Sequence, residues 1–231
     1  MGRQFDSVSG HILIMKKNII IFIQILLNSK FYIVFVSNFK PFDKLSKYNK
    51  SASRVFKQKL FQKYNFSDGA WIETGTHLGN TSGYLSEIAK CVYTIEPSET
   101  FFNAAKETLS SKKNIKLIHG TSEEYLEEVI SKVKNKNISF WLDGHYSGGD
   151  TFEGEDHSPV LHELEIIEKY LYNFKKVNIL IDDFRIFNKH YPKSSKVNYP
   201  NQSELISWAK KNNLRWSVKK NIFIINFKYK S

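Results

Sequence analysis

One cysteine, Cys91, in a chain of 231 residues excludes an internal disulfide framework and a cysteine-based metal site. It falls at the start of an expected strand, where it reads as core rather than nucleophile. No uninterrupted run of roughly 20 apolar residues, the length of a membrane span, occurs. The apolar stretch 19–36 is broken by Gln24, Asn28, Ser29 and Lys30. Met15-Lys16-Lys17 and the apolar residues after it have the layout of a signal peptide's first two regions, yet no small-residue cleavage site follows. A compact arginine-rich stripe is also missing. The net charge of +11 comes from 34 basic and 23 acidic residues with the lysines scattered, which predicts a generally basic solvated surface rather than a nucleic-acid footprint.

What is present is globular: 41% hydrophobic and 15% aromatic residues in a chain long enough for a full core. The pattern divides into an N-terminal helical extension, 1–66, and a main domain, 67–231. Within the extension, 19–36 reads as two short helices that pack on the main domain or lie at a membrane surface. A peripheral membrane contact through residues 15–40 and an oligomer stay open, and Met15 is a second candidate start. A helix is expected at 54–64. From residue 67 strand and helix signals alternate. Strands are expected at 70–73, 91–95, 115–118, 138–142, 177–181, 214–218 and 222–227. Helices are expected at 79–89, 98–110, 121–133, 159–172 and 202–211. Five βα units followed by a hairpin predict an α/β fold: a doubly wound, Rossmann-like seven-stranded sheet, mostly parallel with an antiparallel last strand. Ligands bind such sheets outside the carboxyl ends of the strands.

Polar residues cluster at those ends. After the first strand comes Glu73-Thr74-Gly75-Thr76-His77-Leu78-Gly79, a glycine turn opening a helix. Glycines admit close approach of the backbone, and the helix end offers unpaired N–H groups. The spacing is Glu-x-Gly-x-x-x-Gly, and an acid before the first glycine suits a cationic ligand such as S-adenosylmethionine better than a pyrophosphate. A plain βα turn is the alternative. Glu96, ending the second strand about 20 residues on, is placed to accept both hydroxyls of a ribose. His119, Gly120, Thr121 and Ser122 follow the third strand and suit an adenine edge. Asp143 ends the fourth strand, with His145 two residues on, and Asp182-Asp183 ends the fifth. Three converging carboxylates repel one another, and Mg²⁺ would resolve this. Alternatively, Asp182 or Asp183 pairs with Arg185 and Asp143 caps the next turn.

The order Glu-Thr-Gly-Thr-x-x-Gly-Asn-Thr, Tyr-Thr-Ile-Glu-Pro, His-Gly-Thr-Ser-Glu, Trp-Leu-Asp-Gly-His-Tyr-Ser-Gly-Gly and Ile-Asp-Asp-Phe-Arg resembles class I S-adenosylmethionine-dependent methyltransferases, most of all the macrocin O-methyltransferase type. It covers residues 68–227. The resemblance implies that Glu73, Gly75, Thr76 and Gly79 hold the methionine end of the cofactor and Glu96 its ribose. It places Gly120, Thr121 and Ser122 near adenine. It further implies that Asp143 also touches the cofactor, and that Asp143, Asp182 and Asp183 bind magnesium. The expected reaction is Mg-assisted methyl transfer to a hydroxyl of a small-molecule acceptor such as a sugar, in the cytoplasm. Asp143 and His145 are the catalytic candidates, His145 as general base because its unperturbed pKa lies near neutrality. His157 and Asp156 are weaker ones. Tyr146, Phe152, Tyr191 and Tyr199 are candidates for an aromatic wall. The departures are a missing third glycine in the turn and the Gly-His-Tyr-Ser-Gly-Gly loop. The Asn/Asp-Pro-Pro-Tyr motif of base-modifying enzymes is absent, so no nucleic-acid partner is expected. The rival reading is a non-catalytic module of the same fold in polysaccharide assembly.

Overall fold

The computed structural model describes residues 51–134, 136–144, 158–188 and 199–228. All lie in Lys50–Ser231, one of the two compact units into which the chain divides. The helices expected within 19–36 fall outside the described residues. In chain order the described elements are α1 (Arg54–Tyr64), β1 (Ala70–Thr74), α2 (Asn80–Ile88), β2 (Cys91–Glu96), α3 (Glu99–Thr108), β3 (Ile115–His119) and α4 (Ser122–Lys132). They continue with β4 (Asn137–Leu142), α5 (Val160–Tyr170), β5 (Lys176–Ile181), α6 (Gln202–Lys211), β6 (Arg215–Lys219) and β7 (Ile222–Lys228). None of the described helices is long and apolar enough to cross a membrane.

The seven strands form one sheet of order β3-β2-β1-β4-β5-β7-β6. The first five are parallel, and β7 is antiparallel to both of its neighbours. This is the doubly wound, Rossmann-like sheet with an antiparallel last strand that the alternation of signals predicts. β1 (AWIET) is buried along its whole length, and β4 and β5 after their first residue. Such runs must be covered on both faces, as parallel strands flanked by helices are. The hairpin obeys the same logic. Ile222-Phe223-Ile224-Ile225 is buried and takes the interior place beside β5, whereas Arg215 and Trp216 are exposed at the sheet edge.

Side chains alternate between two cores. On one face Ile72, Ile95, Phe140 and Ile179 meet Leu126 and Ile130 of α4, Leu164 and Ile167 of α5, and Leu205 of α6. On the other, Trp71, Val92, Trp141 and Leu180 meet Leu85 of α2 and Leu60 and Phe61 of α1. Helix α1 lies outside the βα repeat, yet it is bound at both ends and in its middle. Ser53 caps its start by accepting the Phe56 N–H at 3.4 Å. The Phe61 ring sits edge-on to Trp71 at 5.6 Å and to Trp141 at 4.8 Å. At its end the Tyr64 carbonyl, one of the acceptors a helix leaves open, takes hydrogen bonds from Ser139 Oγ at 2.7 Å and Asn178 Nδ2 at 2.8 Å. Asn65 Oδ1 accepts the Trp71 indole N–H at 2.9 Å. Those bonds aim the helix's first turns at the carboxyl ends of β4 and β5.

Phe61→Ala should therefore cost about 3–5 kcal/mol in urea unfolding, the range for truncating a buried aromatic. A loss below about 1 kcal/mol would mean that α1 is not a structural part of this core.

Candidate functional site

The topology reverses at β1, with β2 on one side and β4 on the other. In open α/β sheets that crevice is where ligands bind. Gly75 follows β1 at φ +84°, and a Cβ there would stand 2.7 Å from the Asp143 carbonyl oxygen. Only glycine lets the turn after β1 pack this closely on the turn after β4. Gly79, at φ +79°, is the N-cap of α2 and offers no side-chain cap, leaving the N–H groups of the first turn to a ligand or water. Thr76 is 3% exposed, and its hydroxyl is bonded to that of Thr94 at 2.5 Å, so its side chain braces the turn from below.

Glu73, next to last in β1, is wholly buried. Its Oε2 accepts from the hydroxyls of Ser82 and of Thr94, the latter at 2.7 Å. Its Oε1 has no hydrogen-bond partner among the described residues. Burial raises this carboxyl to about 8; the two hydroxyls draw it down, and the charges of Asp143 and Glu96 add to the rise. Glu96 is held differently. Its Oε2 accepts the His77 N–H at 2.7 Å and its Oε1 the Ser98 N–H at 2.9 Å. Each oxygen keeps a lone pair, so the carboxylate is fixed in place and still has capacity for two hydroxyls.

Beyond Glu96, Gly120 donates its N–H to the Glu96 carbonyl at 3.0 Å, which sets the end of β3 beside that of β2. Thr121 is the N-cap of α4 in a reciprocal capping box with Glu124, and Ser122 is buried with its hydroxyl donating to Glu123 at 3.2 Å. Both side chains thus serve the helix start. Rings gather here instead: Phe102 stacks on His119 at 4.7 Å, and Phe101 lies 4.2 Å from His77.

At the β4–β5 end the expected acids are brought together as neighbours. The Asp143 N–H bonds the Thr74 carbonyl and the Asp182 N–H the Leu142 carbonyl, both at 3.1 Å. The expected magnesium site is not shown. Among the described residues no three metal-ligating side chains surround one point. Lys57 of α1 forms an ion pair with Asp182. Burial alone would lower the Lys57 pKa, yet the charges of Asp143, Asp182 and Asp183 outweigh it and raise the group above its ordinary value. Asp183, at φ +47°, turns away. Its Oδ1 accepts from Asn221 Nδ2 at 2.5 Å and pairs with Arg185 at 3.3 Å, which is the alternative expected from the sequence. Asn221 is fully buried in the β6–β7 turn and also accepts the Arg185 N–H at 2.8 Å.

Three residues absent from the sequence expectations thus belong to this edge: Lys57, Asn221 and Glu163. Glu163, in the first turn of α5, is 1% exposed and lines a small cavity of about 10 Å³ with Leu142, Gly144, Ile181 and Asp182. Helical spacing held a signal for two of them. Lys57 stands four residues before Phe61, and Glu163 three after Val160 and four before Ile167, so both occupy apolar faces. Asn221 left no such signal. His145, Tyr146, Phe152, Asp156, His157 and Tyr191 lie outside the described residues. Tyr199 packs edge-on against Phe187 at 6.1 Å, which makes it a part of the core's margin.

No family profile and no curated protein matches the sequence. Solved structures do. An assigned caffeoyl-CoA O-methyltransferase from Staphylococcus aureus superposes with a TM-score of 0.54 at 17% identity, covering 93% of this chain and 100% of that one. An assigned rRNA methylase from Clostridium thermocellum gives 0.51 at 9% identity, covering 78% and 98%. At such identities the likeness is one of fold: the chain shares the sheet and helix arrangement of these two structures.

The raised Glu73 pKa has a consequence for stability. The folded state holds this proton more tightly than the unfolded chain, whose carboxyl titrates near 4.5. Its contribution is complete below that value and is lost as pH rises through about 8. Unfolding free energy should fall across that window, and Glu73→Gln should flatten the fall. A variant with the wild-type slope would show that Glu73 is not its source.

Proposed function

We propose that this protein is an S-adenosylmethionine-dependent methyltransferase that modifies a hydroxyl of a small acceptor, a sugar or natural-product-like molecule. The observation that carries the reading is the acid arrangement around the Gly75 turn. Glu73 has an enclosed oxygen without a partner among the described residues, and the charges of Glu96 and Asp143 lie close enough to raise its pKa. A cationic ligand relieves that repulsion, whereas a pyrophosphate would add to it. The cofactor, when bound, supplies an electrophilic methyl group on a sulfonium centre.

The residues present fit such a ligand. Glu73 faces the turn with unused acceptor capacity, the start of α2 has backbone donors for a carboxylate, and Glu96 is fixed by two amides with capacity for ribose hydroxyls. The rings of Phe101, Phe102, His77 and His119 form apolar surface beside Glu96, suited to a flat base. We assign the acceptor side to the loop after β4, with His145 taking the hydroxyl's proton and Asp143 orienting the groups around it. The acceptor class rests on the motif resemblance to the macrocin type. The magnesium ion implied by that resemblance does not fit the described donor set, where Lys57 engages Asp182 and Arg185 engages Asp183; no step of this proposal runs through it.

Calorimetric titration with S-adenosylmethionine, wild type against Glu96→Ala, tests the reading. Micromolar binding is expected, weakened roughly ten- to hundredfold in the variant, as for loss of hydrogen bonds to a charged group. No binding by the wild type would remove the cofactor and leave a binding module of this fold as the better description.

A further inference from the structure

We propose that Lys57 is the resident cation of the acceptor side, its ammonium filling the place between Asp182 and the neighbouring carboxylates that a divalent metal would otherwise take. This deepens the methyltransferase reading and rests on it for what the site is used for. Three observations carry it. Lys57 is paired with Asp182, a residue 3% exposed at the carboxyl end of β5. Its position is not that of a freely moving surface lysine, because α1 is pinned by Phe61 between Trp71 and Trp141 and by the Tyr64 carbonyl on Ser139 and Asn178. The ammonium also lies 5.1 Å from the Trp141 ring centre, so an aromatic face supports its charge from the side.

The second acid of the pair is held away from the same point. Asp183 adopts a left-handed backbone and turns its carboxylate to Asn221 and Arg185. One carboxylate is therefore matched by one lysine and the next by one arginine, so each acid of the pair already has a cation supplied by the protein. The Lys57 side chain remains 24% exposed. An ammonium has three donors, and those not spent on Asp182 can reach an acceptor oxygen at the site mouth. There a fixed positive charge does part of what a metal does, stabilising negative charge that develops on a hydroxyl losing its proton.

The test is Mn²⁺ binding, followed by water-proton relaxation, to chelator-treated full-length protein. Wild type and Lys57→Arg should show no site up to millimolar Mn²⁺. Lys57→Met, of similar volume, should leave Asp182 without its counter-charge and bind Mn²⁺ at least about tenfold more tightly than wild type. Adding Asp182→Asn to that variant should abolish the gain. Submillimolar Mn²⁺ binding by the wild type that is lost in Asp182→Asn would overturn the proposal, as would a folded Lys57→Met that binds no better than wild type. Circular dichroism establishes folding, and Lys57→Gln replaces Lys57→Met if the latter does not fold. Titration of S-adenosylhomocysteine into the same samples reports on the cofactor site independently, so failure of the methyltransferase reading is distinguishable from failure of the resident-cation assignment.

Discussion

Repulsion among carboxylates gathered at one edge of a sheet is the constraint around which this protein is built. Glu73, Glu96, Asp143, Asp182 and Asp183 all stand at or just beyond the carboxyl ends of parallel strands, and Glu73, Glu96 and Asp182 are buried. Each that can be followed meets the cost of burial in its own way. Glu96 takes two backbone amides, Asp182 takes the ammonium of Lys57, and Asp183 takes Arg185 and Asn221. Among the described residues Glu73 receives only two hydroxyls, and it holds on to its proton instead. The edge thus has its paired cations, Lys57 and Arg185, at the β5 half, whereas Glu73 at the β1 half is held by hydroxyls alone among the described residues. The second half is the one suited to a cationic ligand.

Compensation at the β5 half comes from far away in the chain. Lys57 precedes the first strand, and Asn221 sits in the turn before the last one. Both depend on packing remote from the charges: Phe61 against two tryptophans for the helix, and the interior placement of β7 for the turn. Electrostatics at the edge and the apolar core beneath α1 are therefore one cooperative arrangement.

Much of this was legible in the residues. The doubly buried strands announced themselves as continuous apolar runs, and the glycine turn, Glu96, Asp143 and the Asp182-Asp183 pair could be put at strand ends by counting. The capping box at Thr121 is visible as Thr-x-x-Glu, a local use of that side chain that competes with an adenine contact. The partner of each acid was not legible. Local pattern says that a carboxylate needs a counter-charge, but a lysine 125 residues away and a distant divalent ion satisfy that need equally well on paper.

The sequence by itself determined the alternation of elements, the buried faces and the edge at which the polar residues collect. Those follow from periodicity and from short-range backbone preferences, which act within a few residues. Only the tertiary structure decided that β7 inserts between β5 and β6, that α1 packs on the sheet, and that Lys57 pairs with Asp182. Such pairings join positions far apart in the chain. They are chosen by which apolar surfaces can be covered together and which buried charges can be matched once the chain is compact.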